Sequence, residues 1–557
     1  MVVGVGWWQS RPDLLSSAGN ATLRTVPGHA PTHRPKHRAV RRGGASKGVW
    51  GRTGGWWHCL FVALFLGALA VRLAAVFGYR PALWFNDSYD YVGVALRPEP
   101  YVVRPAGYSM FLRAFLPFHS FELVVLAQHL IGLAVGVGIY LLLLRLRSPA
   151  WLAAGGAVPQ LFDAYQIALE HMVLSETLFT ALLFGAVMCL LWNRRVGVLG
   201  ALGAGLALSA ASVTRSVGLP LALVAALWLV ARWPGWRSVG VFAVALTLPL
   251  AAYSGWYKAE HGTFAISGST GIFLYSRTAT FADCAVIDPP EELRVLCPAE
   301  PVGERQQPSN YIWHGDTPLF DVPGETFSPE KEELARQFAT AAITRQPLDY
   351  LRTVAHDFRR TFESRLADYP SRMVAQRYLF ASATIPLQGK DREAADMRAF
   401  EGGEFATTVH SPAAGWLVSY QRDVRVPAPA IGIALLAAFA GLVLSVRDRT
   451  RRAPLLLLAG VALLALLLPP ATAGFDYRYV PPSFPFLGAA VALALTTVLR
   501  FRQERRDRQE RRGRGQERRG RGQERRDGGQ GPVSAPRPDP APPATGSPAP
   551  GSPGGPW

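Results

Sequence analysis

The chain has 557 residues, 49% of them hydrophobic, yet carries a formal charge of +18. A soluble chain of this length would divide into several domains built from half-polar, periodic helices. Here the apolar residues come in blocks of about 18–22, long enough to cross a hydrocarbon core roughly 30 Å thick, and the basic residues lie mostly between and beyond those blocks, which membrane topology explains without a nucleic-acid partner.

In chain order, residues 1–54 are basic and rich in Gly, Pro and His, without the charged, apolar and cleavage regions of a signal peptide. They read as a disordered cytoplasmic N-terminus. Membrane spans are expected near residues 57–78, 122–144, 150–167, 173–192, 197–213, 217–232, 238–256, 429–446, 453–470 and 481–499. The fifth and sixth are short enough to form one re-entrant pair. Arg145 and Arg147 follow the second span, Arg194 and Arg195 the fourth, and Arg232 and Arg237 flank the next turn. Arg447, Arg449, Arg451 and Arg452 follow the eighth. With the N-terminus inside, every one of these clusters falls on the cytoplasmic side, as the positive-inside rule requires. Residues 500–557, first Arg-rich and then Pro/Gly/Ser-rich, then form a solvated low-complexity cytoplasmic tail, its Gln-Glu-Arg-Arg repeats suited to anionic headgroups.

The expected fold is therefore an all-α polytopic membrane protein, a bundle of about ten transmembrane helices with an extracytoplasmic α-rich loop domain. Residues 55–256 make a membrane body containing a first external loop at 79–121. Residues 257–428 make the loop domain and 429–499 the last helices. High Ala, Gly, Arg and Pro usage suggests a GC-rich bacterial source, so the expected location is a bacterial cytoplasmic membrane with the active site facing outside and both termini cytoplasmic. Within the loop domain, Ser328-Pro329-Glu330 reads as an N-cap, a proline at the first helical position and an acid in the first turn. A second helix is expected from Pro347, with Leu351, Val354, Phe358 and Phe362 on one face. Cys284 and Cys297 are the two cysteines of this segment, and an oxidising compartment would join them. Cys59 and Cys189 lie in apolar spans and read as core residues.

Candidate chemistry lies near the outer membrane surface. The first external loop reads Trp84-Phe85-Asn86-Asp87-Ser88-Tyr89-Asp90-Tyr91, then Arg104-Pro105-Ala106-Gly107-Tyr108-Ser109. Tyr108, Phe111, Leu112 and Phe115 would line one face of an interfacial helix. Asp87 so placed suits a general base for a hydroxyl, provided its surroundings raise its basicity; the structural alternative is an aspartate capping a short helix. His171-Met172-Val173-Leu174-Ser175-Glu176 leads into the fourth span, putting Glu176 just inside its outer end and Glu170 in water. An acid at membrane depth faces a cavity or a partner. Its candidate partners are Arg215, between the fifth and sixth spans, and Arg478, in Phe475-Asp476-Tyr477-Arg478-Tyr479-Val480-Pro481-Pro482. Guanidinium groups at that rim suit a phosphate, or else serve as interfacial anchors.

Taken together, the acid in the first external loop, the Arg-Pro-x-Gly-Tyr segment after it, Leu-Ser-Glu-x-Leu-Phe at the fourth span and Arg-Tyr-x-x-Pro before the last resemble the GT-C glycosyltransferase superfamily. The resembling branch is the lipid-carrier-dependent enzymes related to protein O-mannosyltransferases and the aminoarabinose transferase. The resemblance covers residues 57–499. It implies a transferase that takes a sugar from a polyprenyl-phosphate carrier to an acceptor hydroxyl on a glycan, lipid or protein, at the external face of the bilayer, with inversion. The family's first-loop acid falls on Asp87, its acid opening a later span on Glu176 and its phosphate-binding arginine on Arg478. Arg215, Tyr479, Arg104, Tyr108 and His171 are further candidates for binding substrate or lipid phosphate. Where relatives carry Asp-Glu or Asp-x-Asp, this chain has Asp87-Ser88 with Asp90 three residues on, which leaves open which aspartate is the base and whether a divalent metal binds. No Gly-rich phosphate loop and no His/Cys zinc pattern is present in the sequence. Two other classes share the topology: a transporter or flippase of lipid-linked envelope precursors, and a non-catalytic envelope assembly protein.

Overall fold

The structure, a computed structural model, describes residues 54–364, 369–383, 391–446 and 448–527. The expectations for the N-terminal segment to residue 53, for residues 528–557 and for Arg447 lie outside the described residues. The fold is that of an all-α polytopic membrane protein. Among the described residues, five helices are long and apolar enough to cross a membrane: Gly55–Gly78, Phe121–Arg145, Trp236–His261, Arg449–Thr472 and Tyr477–Glu517. A sixth is formed if Ala413–Asp423 and Ala428–Leu444, bent by 53° at a short break, count as one span. Three shorter apolar helices, Glu176–Leu191, Val198–Thr214 and Gly218–Arg232, stand where the fourth to sixth spans were expected.

We label the helices that position the site α1 (Gly54–Gly78), α2 (Asn86–Leu96), α3 (Gly107–Arg113), α4 (Phe121–Arg145), α5 (Ala150–Phe162), α6 (Ala164–His171), α7 (Glu176–Leu191), α8 (Val198–Thr214) and α9 (Gly218–Arg232). The third expected span, 150–167, is broken into α5 and α6 at Asp163, whose backbone is extended. The Asp163 carboxylate accounts for the break. One oxygen accepts from the Gln166 amide at 2.8 Å, starting α6, and the other from the Val426 amide at 2.7 Å, pinning the bent pair. An aspartate that caps one helix start and pins the chain at a neighbouring break stabilises the break better than a continuous helix would.

The basic clusters gather at one end of the bundle. Arg145 donates to the Trp192 carbonyl and to Asn193, Arg500 to the Arg147 carbonyl, and Arg232 to the Arg194 carbonyl. The last helix runs without interruption from Phe484 to Asp527, so the tail expected to be unfolded from residue 500 is helical to 527. Gln, Glu and Arg are good helix formers, and acid–arginine pairs four apart such as Glu504/Arg508 and Glu510/Arg514 add support.

The segment 257–428 does not form one unit. Residues 270–354 enclose their own core around Ile272, Tyr275, Leu296, Tyr311 and Phe338. Tyr378, Phe380, Met397, Phe400, Phe405 and Leu417 instead share a core with the first loop, through Tyr79, Leu83, Phe85 and Tyr91. A two-residue antiparallel pair joins the same partners, Tyr79 opposite Val409 and Arg80 opposite Thr408. Phe85 stacks on Tyr378 and Trp84 meets Phe405 edge-on, joining the two segments through aromatic contacts. The two predicted helices are present as Pro329–Arg345, capped by the Ser328 hydroxyl, and Pro347–Arg360. On the second, Val354 is buried and Phe358 packs on the membrane body, whereas Leu351 is exposed; Phe362, just past the helix end, packs beside Phe358. The apolar face of α3 is likewise turned into protein: Tyr108 and Leu112 are fully buried, so α3 is a packed helix and not one lying in the interface.

Cys284 and Cys297 are joined, with Cα atoms 6.1 Å apart and thirteen residues of separation. Closing a loop of that length stabilises by about 3 kcal/mol. Replacing both cysteines by Ser is expected to lower the unfolding midpoint of the 270–354 core, read by limited proteolysis against temperature, with the membrane helices unaffected. An unchanged midpoint would show that the bridge contributes nothing.

Candidate active site

Asp87, Glu176, Arg215 and Arg478 come from four separate stretches of chain, yet all stand at one end of the bundle, opposite the basic clusters. Asp87 is in the first turn of α2, just beyond the end of α1. Glu176 opens α7, Arg215 closes α8, and Arg478 sits in a short 3-10 turn before the last helix. Gly107 is what lets the Arg-Pro-x-Gly segment close on this end. A Cβ there would lie 2.5 Å from the Val213 carbonyl oxygen, two residues before Arg215.

The side chains meet in one mostly buried cluster. Asp87 is held from both sides: Oδ1 is 2.9 Å from Arg104 Nη1, and Oδ2 accepts from Arg478 Nη1 at 2.8 Å. Arg104 also reaches Asp90 at 3.5 Å. Arg215 donates to Glu176 Oε1 at 2.5 Å and to Ser175 Oγ at 3.1 Å. Arg478 Nε lies 3.7 Å from the same Glu176 oxygen, so the Asp87 and Glu176 pairs are halves of one network. Tyr479 supports both arginines. The guanidinium carbons of Arg215 and Arg478 each lie 5.2 Å from its ring centroid, and its hydroxyl accepts from Arg478 Nη2 at 3.3 Å. Phe85 packs under Arg478 at 4.7 Å. Planar cations held over aromatic faces lose little freedom and stay charged.

Burial alone would raise the Asp87 carboxyl, but Arg104 and Arg478 outweigh it and hold the group well below the usual carboxylate range. Asp90 shows the opposite balance: burial raises it above the usual range against the pull of Arg104. Two aspartates one turn apart are thus driven in opposite directions by how many guanidinium groups each faces.

The donor set does not suit a divalent metal. Both oxygens of Asp87 face guanidinium groups, Glu176 Oε1 does too, and three arginines in one cluster repel a further cation. Among the described residues, no group of three or more His, Cys, Asp or Glu side chains is arranged to hold a metal ion.

No protein-family model matches the chain, and no curated protein matches it. Two solved structures are similar to it. One is the archaeal oligosaccharyltransferase AglB from Archaeoglobus fulgidus, in complex with an inhibitory peptide and a dolichol-phosphate, at 12% identity and a TM-score of 0.38 over 82% of this chain. The other is ArnT from Cupriavidus metallidurans in the apo state, at 16% identity and a TM-score of 0.30 over 80% of this chain. The chain spans 52% of the archaeal protein and 77% of the bacterial one.

Of the residues expected at the site, the cluster contains Asp87, Asp90, Arg104, Glu176, Arg215, Arg478 and Tyr479. Tyr108 and His171 are drawn elsewhere. Tyr108 is fully buried and donates to Gln128 Oε1 at 2.7 Å, while His171 is fully buried against His129 and the Tyr79 carbonyl. Both hold the scaffold, leaving no surface for substrate. Glu170, expected in water, is also fully buried, paired with Arg72 at 2.7 Å. A membrane-embedded arginine in α1 was the available signal, because such a charge demands a partner.

Asp476 is a cluster member that the sequence reading left out. Its Oδ1 caps the Arg478 amide at 3.2 Å, and its Oδ2 accepts from the Tyr378 hydroxyl at 2.7 Å and lies 3.4 Å from Arg478 Nε. The Asp-x-Arg spacing, which suits a side chain capping the amide two residues on, was the clue to it. Ser88 explains the departure from an acid pair. It is fully buried, its Oγ donating to the Val173 carbonyl at 2.9 Å and accepting from the Phe85 amide at 3.0 Å, so it fastens the loop.

Proposed function

We propose that the protein is a GT-C-type membrane glycosyltransferase, moving a sugar from a polyprenyl-phosphate carrier to an acceptor hydroxyl at the extracytoplasmic face of a bacterial cytoplasmic membrane. The observation that carries this reading is the 2.8 Å contact between Asp87 and Arg478, 391 residues apart in sequence. It brings a carboxylate and a phosphate-competent guanidinium together at the end of the bundle away from the basic clusters. The motif resemblance supplies the donor class.

In the reaction we propose, the donor enters from the bilayer and its phosphate takes up Arg478 and Arg215 over Tyr479. Arg478 is then shared away from Asp87, which loses one of the two cations depressing its basicity. The acceptor oxygen attacks the anomeric carbon and its proton passes to Asp87. The bond from that carbon to the phosphate oxygen breaks, and the electron pair leaves with the phosphate, whose developing charge the arginines stabilise. One displacement inverts the anomeric centre. Glu176 keeps Arg215 oriented through Oε1, while its buried Oε2, with no hydrogen-bond partner among the described residues, would accept from a sugar or acceptor hydroxyl.

The test is to incubate the purified protein with a panel of polyprenyl-phosphate sugars and an acceptor extract, and to measure free polyprenyl phosphate. Release that requires both donor and acceptor supports the reading. Translocation of intact donor across proteoliposomes, with no release, would instead place the protein among flippases.

A further inference from the structure

A chain of buried polar groups, none of which touches the reacting atoms proposed above, adjoins the site. Arg72 in α1 donates from Nε and Nη2 to the two oxygens of Glu170, at 2.7 and 2.9 Å, and from Nη1 to the Leu161 carbonyl at 2.7 Å. Glu170 also accepts from Gln166 Nε2 at 3.1 Å. His129 in α4 then continues the chain. Its Nδ1 is 3.1 Å from Glu170 Oε2 and its Nε2 is 3.0 Å from His171 Nδ1. His171 Nε2 ends the chain 2.6 Å from the Tyr79 carbonyl. Gly132, three residues beyond His129, makes room for it: a Cβ there would lie 2.0 Å from Glu170 Oε1.

The hydrogens along this chain can be counted. The Tyr79 carbonyl only accepts, so His171 Nε2 carries a hydrogen. The contact between the two imidazoles needs one hydrogen, and the contact between His129 and Glu170 needs another. Three contacts need three hydrogens, and two neutral imidazoles supply two. Arg72 donates to both Glu170 oxygens and keeps that carboxylate ionised. The third proton therefore makes an imidazolium, shared between His129 and His171. Without it, one contact sets lone pair against lone pair.

The far end of the chain is fastened to both acid-bearing segments. The His171 carbonyl accepts from the Leu83 amide at 3.0 Å, and the Leu83 carbonyl from the Val173 amide at 3.2 Å. Ser88, next to Asp87, then donates to the Val173 carbonyl at 2.9 Å, and Tyr91 donates to Ser175, next to Glu176, at 3.0 Å.

We propose that His129, Glu170 and His171 are positioning residues: a clamp holding one shared proton that fixes the segment bearing Asp87 against the segment bearing Glu176. The inference deepens the glycosyl-transfer reading and rests on it for its catalytic consequence. The titratable and charged groups facing the clamp are Arg72 from α1, the Tyr79 side chain with its ring centroid 6.4 Å from that of His171, and Tyr108 from α3 through Gln128. In this proposal the shared proton is the one that rising pH removes from the clamp. The site is tightest on the acid side of that step and loosens on the alkaline side.

The experiment uses the full chain in nanodiscs. Solid-state spectra of the protein labelled with nitrogen-15 at histidine are compared with those of His129→Gln, whose amide cannot take up a proton. An imidazolium signal at neutral pH that His129→Gln abolishes is expected; neutral rings throughout would overturn the proton count. Hydrogen exchange at one fixed pH gives a readout independent of catalysis. His129→Gln is expected to lose protection in residues 80–91 and 171–176 but not in 329–345, and unchanged protection overturns the clamp. In the donor-release assay, the wild type is expected to lose kcat on the alkaline side with KM steady. His129→Gln is expected to show a kcat about tenfold lower with that limb gone, since small displacements of reacting groups are costly; a variant that keeps the limb overturns the positioning role. If no donor is turned over by either protein, the spectra and exchange still decide the clamp, and only the transferase reading fails.

Discussion

Asp87→Asn is expected to abolish transfer, lowering kcat by about 10²–10⁴-fold, the usual contribution of a positioned base, while donor KM changes little. The amide keeps the shape of the carboxylate and so isolates its charge and basicity from its volume. In the resting site Asp87 is ionised but weakly basic, because Arg104 and Arg478 each face one of its oxygens. In the proposed reaction its basicity would rise only when the donor phosphate draws Arg478 away, which would tie proton acceptance to donor binding. Asp90 gives the comparison. It lies 3.5 Å from Arg104 and hydrogen-bonds Tyr101, and burial raises it above the usual carboxylate range. If Asp90 were the base, the rate would fall on the acid side at a higher pH than an ordinary carboxylate gives, and Asp90→Asn would be the dead variant. With Asp87 as the base, no such acid limb appears in the neutral range and Asp90→Asn keeps most of its kcat. Folding has to be checked in the same preparation, since taking one partner from a buried ion pair costs about 3–5 kcal/mol. A folded Asp87→Asn protein with wild-type kcat would remove the base from the scheme.

What could be read from the sequence followed the range of the forces involved. Apolar blocks and flanking arginines are local signals, and the long helices at 55–78, 121–145 and 449–472 stand close to where those signals put them. Asp87, Glu176, Arg215 and Arg478 were legible because charge at membrane depth is costly enough to need a reason. The partners were less legible. That Arg104 also holds Asp87 and that Tyr378 holds Asp476 depend on contacts between separate stretches of chain, which no periodicity encodes, whereas the Asp476 cap on the Arg478 amide is local. The failures have the same origin. His171 and Tyr108 sit beside the site in sequence, but one turn of helix separates a side chain that faces a cleft from one that faces a neighbouring helix. Glu170 reads as a water-exposed acid because it falls between the expected third and fourth spans, while Arg72, which settles its fate, lies 98 residues earlier. The division of 257–428 between two cores was hidden for a similar reason. Its aromatic residues at 378–405 pack against Tyr79, Leu83, Phe85 and Tyr91 of the first loop, a pairing between distant stretches that no local pattern shows.

Arg478→Lys is expected to lose most of the activity that Arg478→Ala loses, with kcat/KM down by about 10²–10³, the size of effect seen when one oxyanion donor is removed. Charge alone does not explain the site's use of arginine. The guanidinium reaches Asp87 through Nη1 and Tyr479 through Nη2, and sets Nε toward Glu176 and Asp476, while one face rests on Phe85. A lysine ammonium is a point charge that cannot span these partners or lie flat on a ring. Alanine would leave Asp87, Glu176 and Asp476 around an empty place, so Arg478→Ala is also expected to be markedly less stable, whereas Arg478→Lys retains neutralisation and folds. The pair of variants therefore separates holding the fold from holding the phosphate. A kcat split, with donor binding weakened and the chemical step slowed together in the folded lysine variant, fits a phosphate held through the transition state. Donor KM raised with kcat intact would mean that Arg478 only docks the carrier. Wild-type kcat/KM in Arg478→Lys would show that no bidentate contact is made there, and the phosphate would then have to be sought at Arg215, the other guanidinium on the Tyr479 ring.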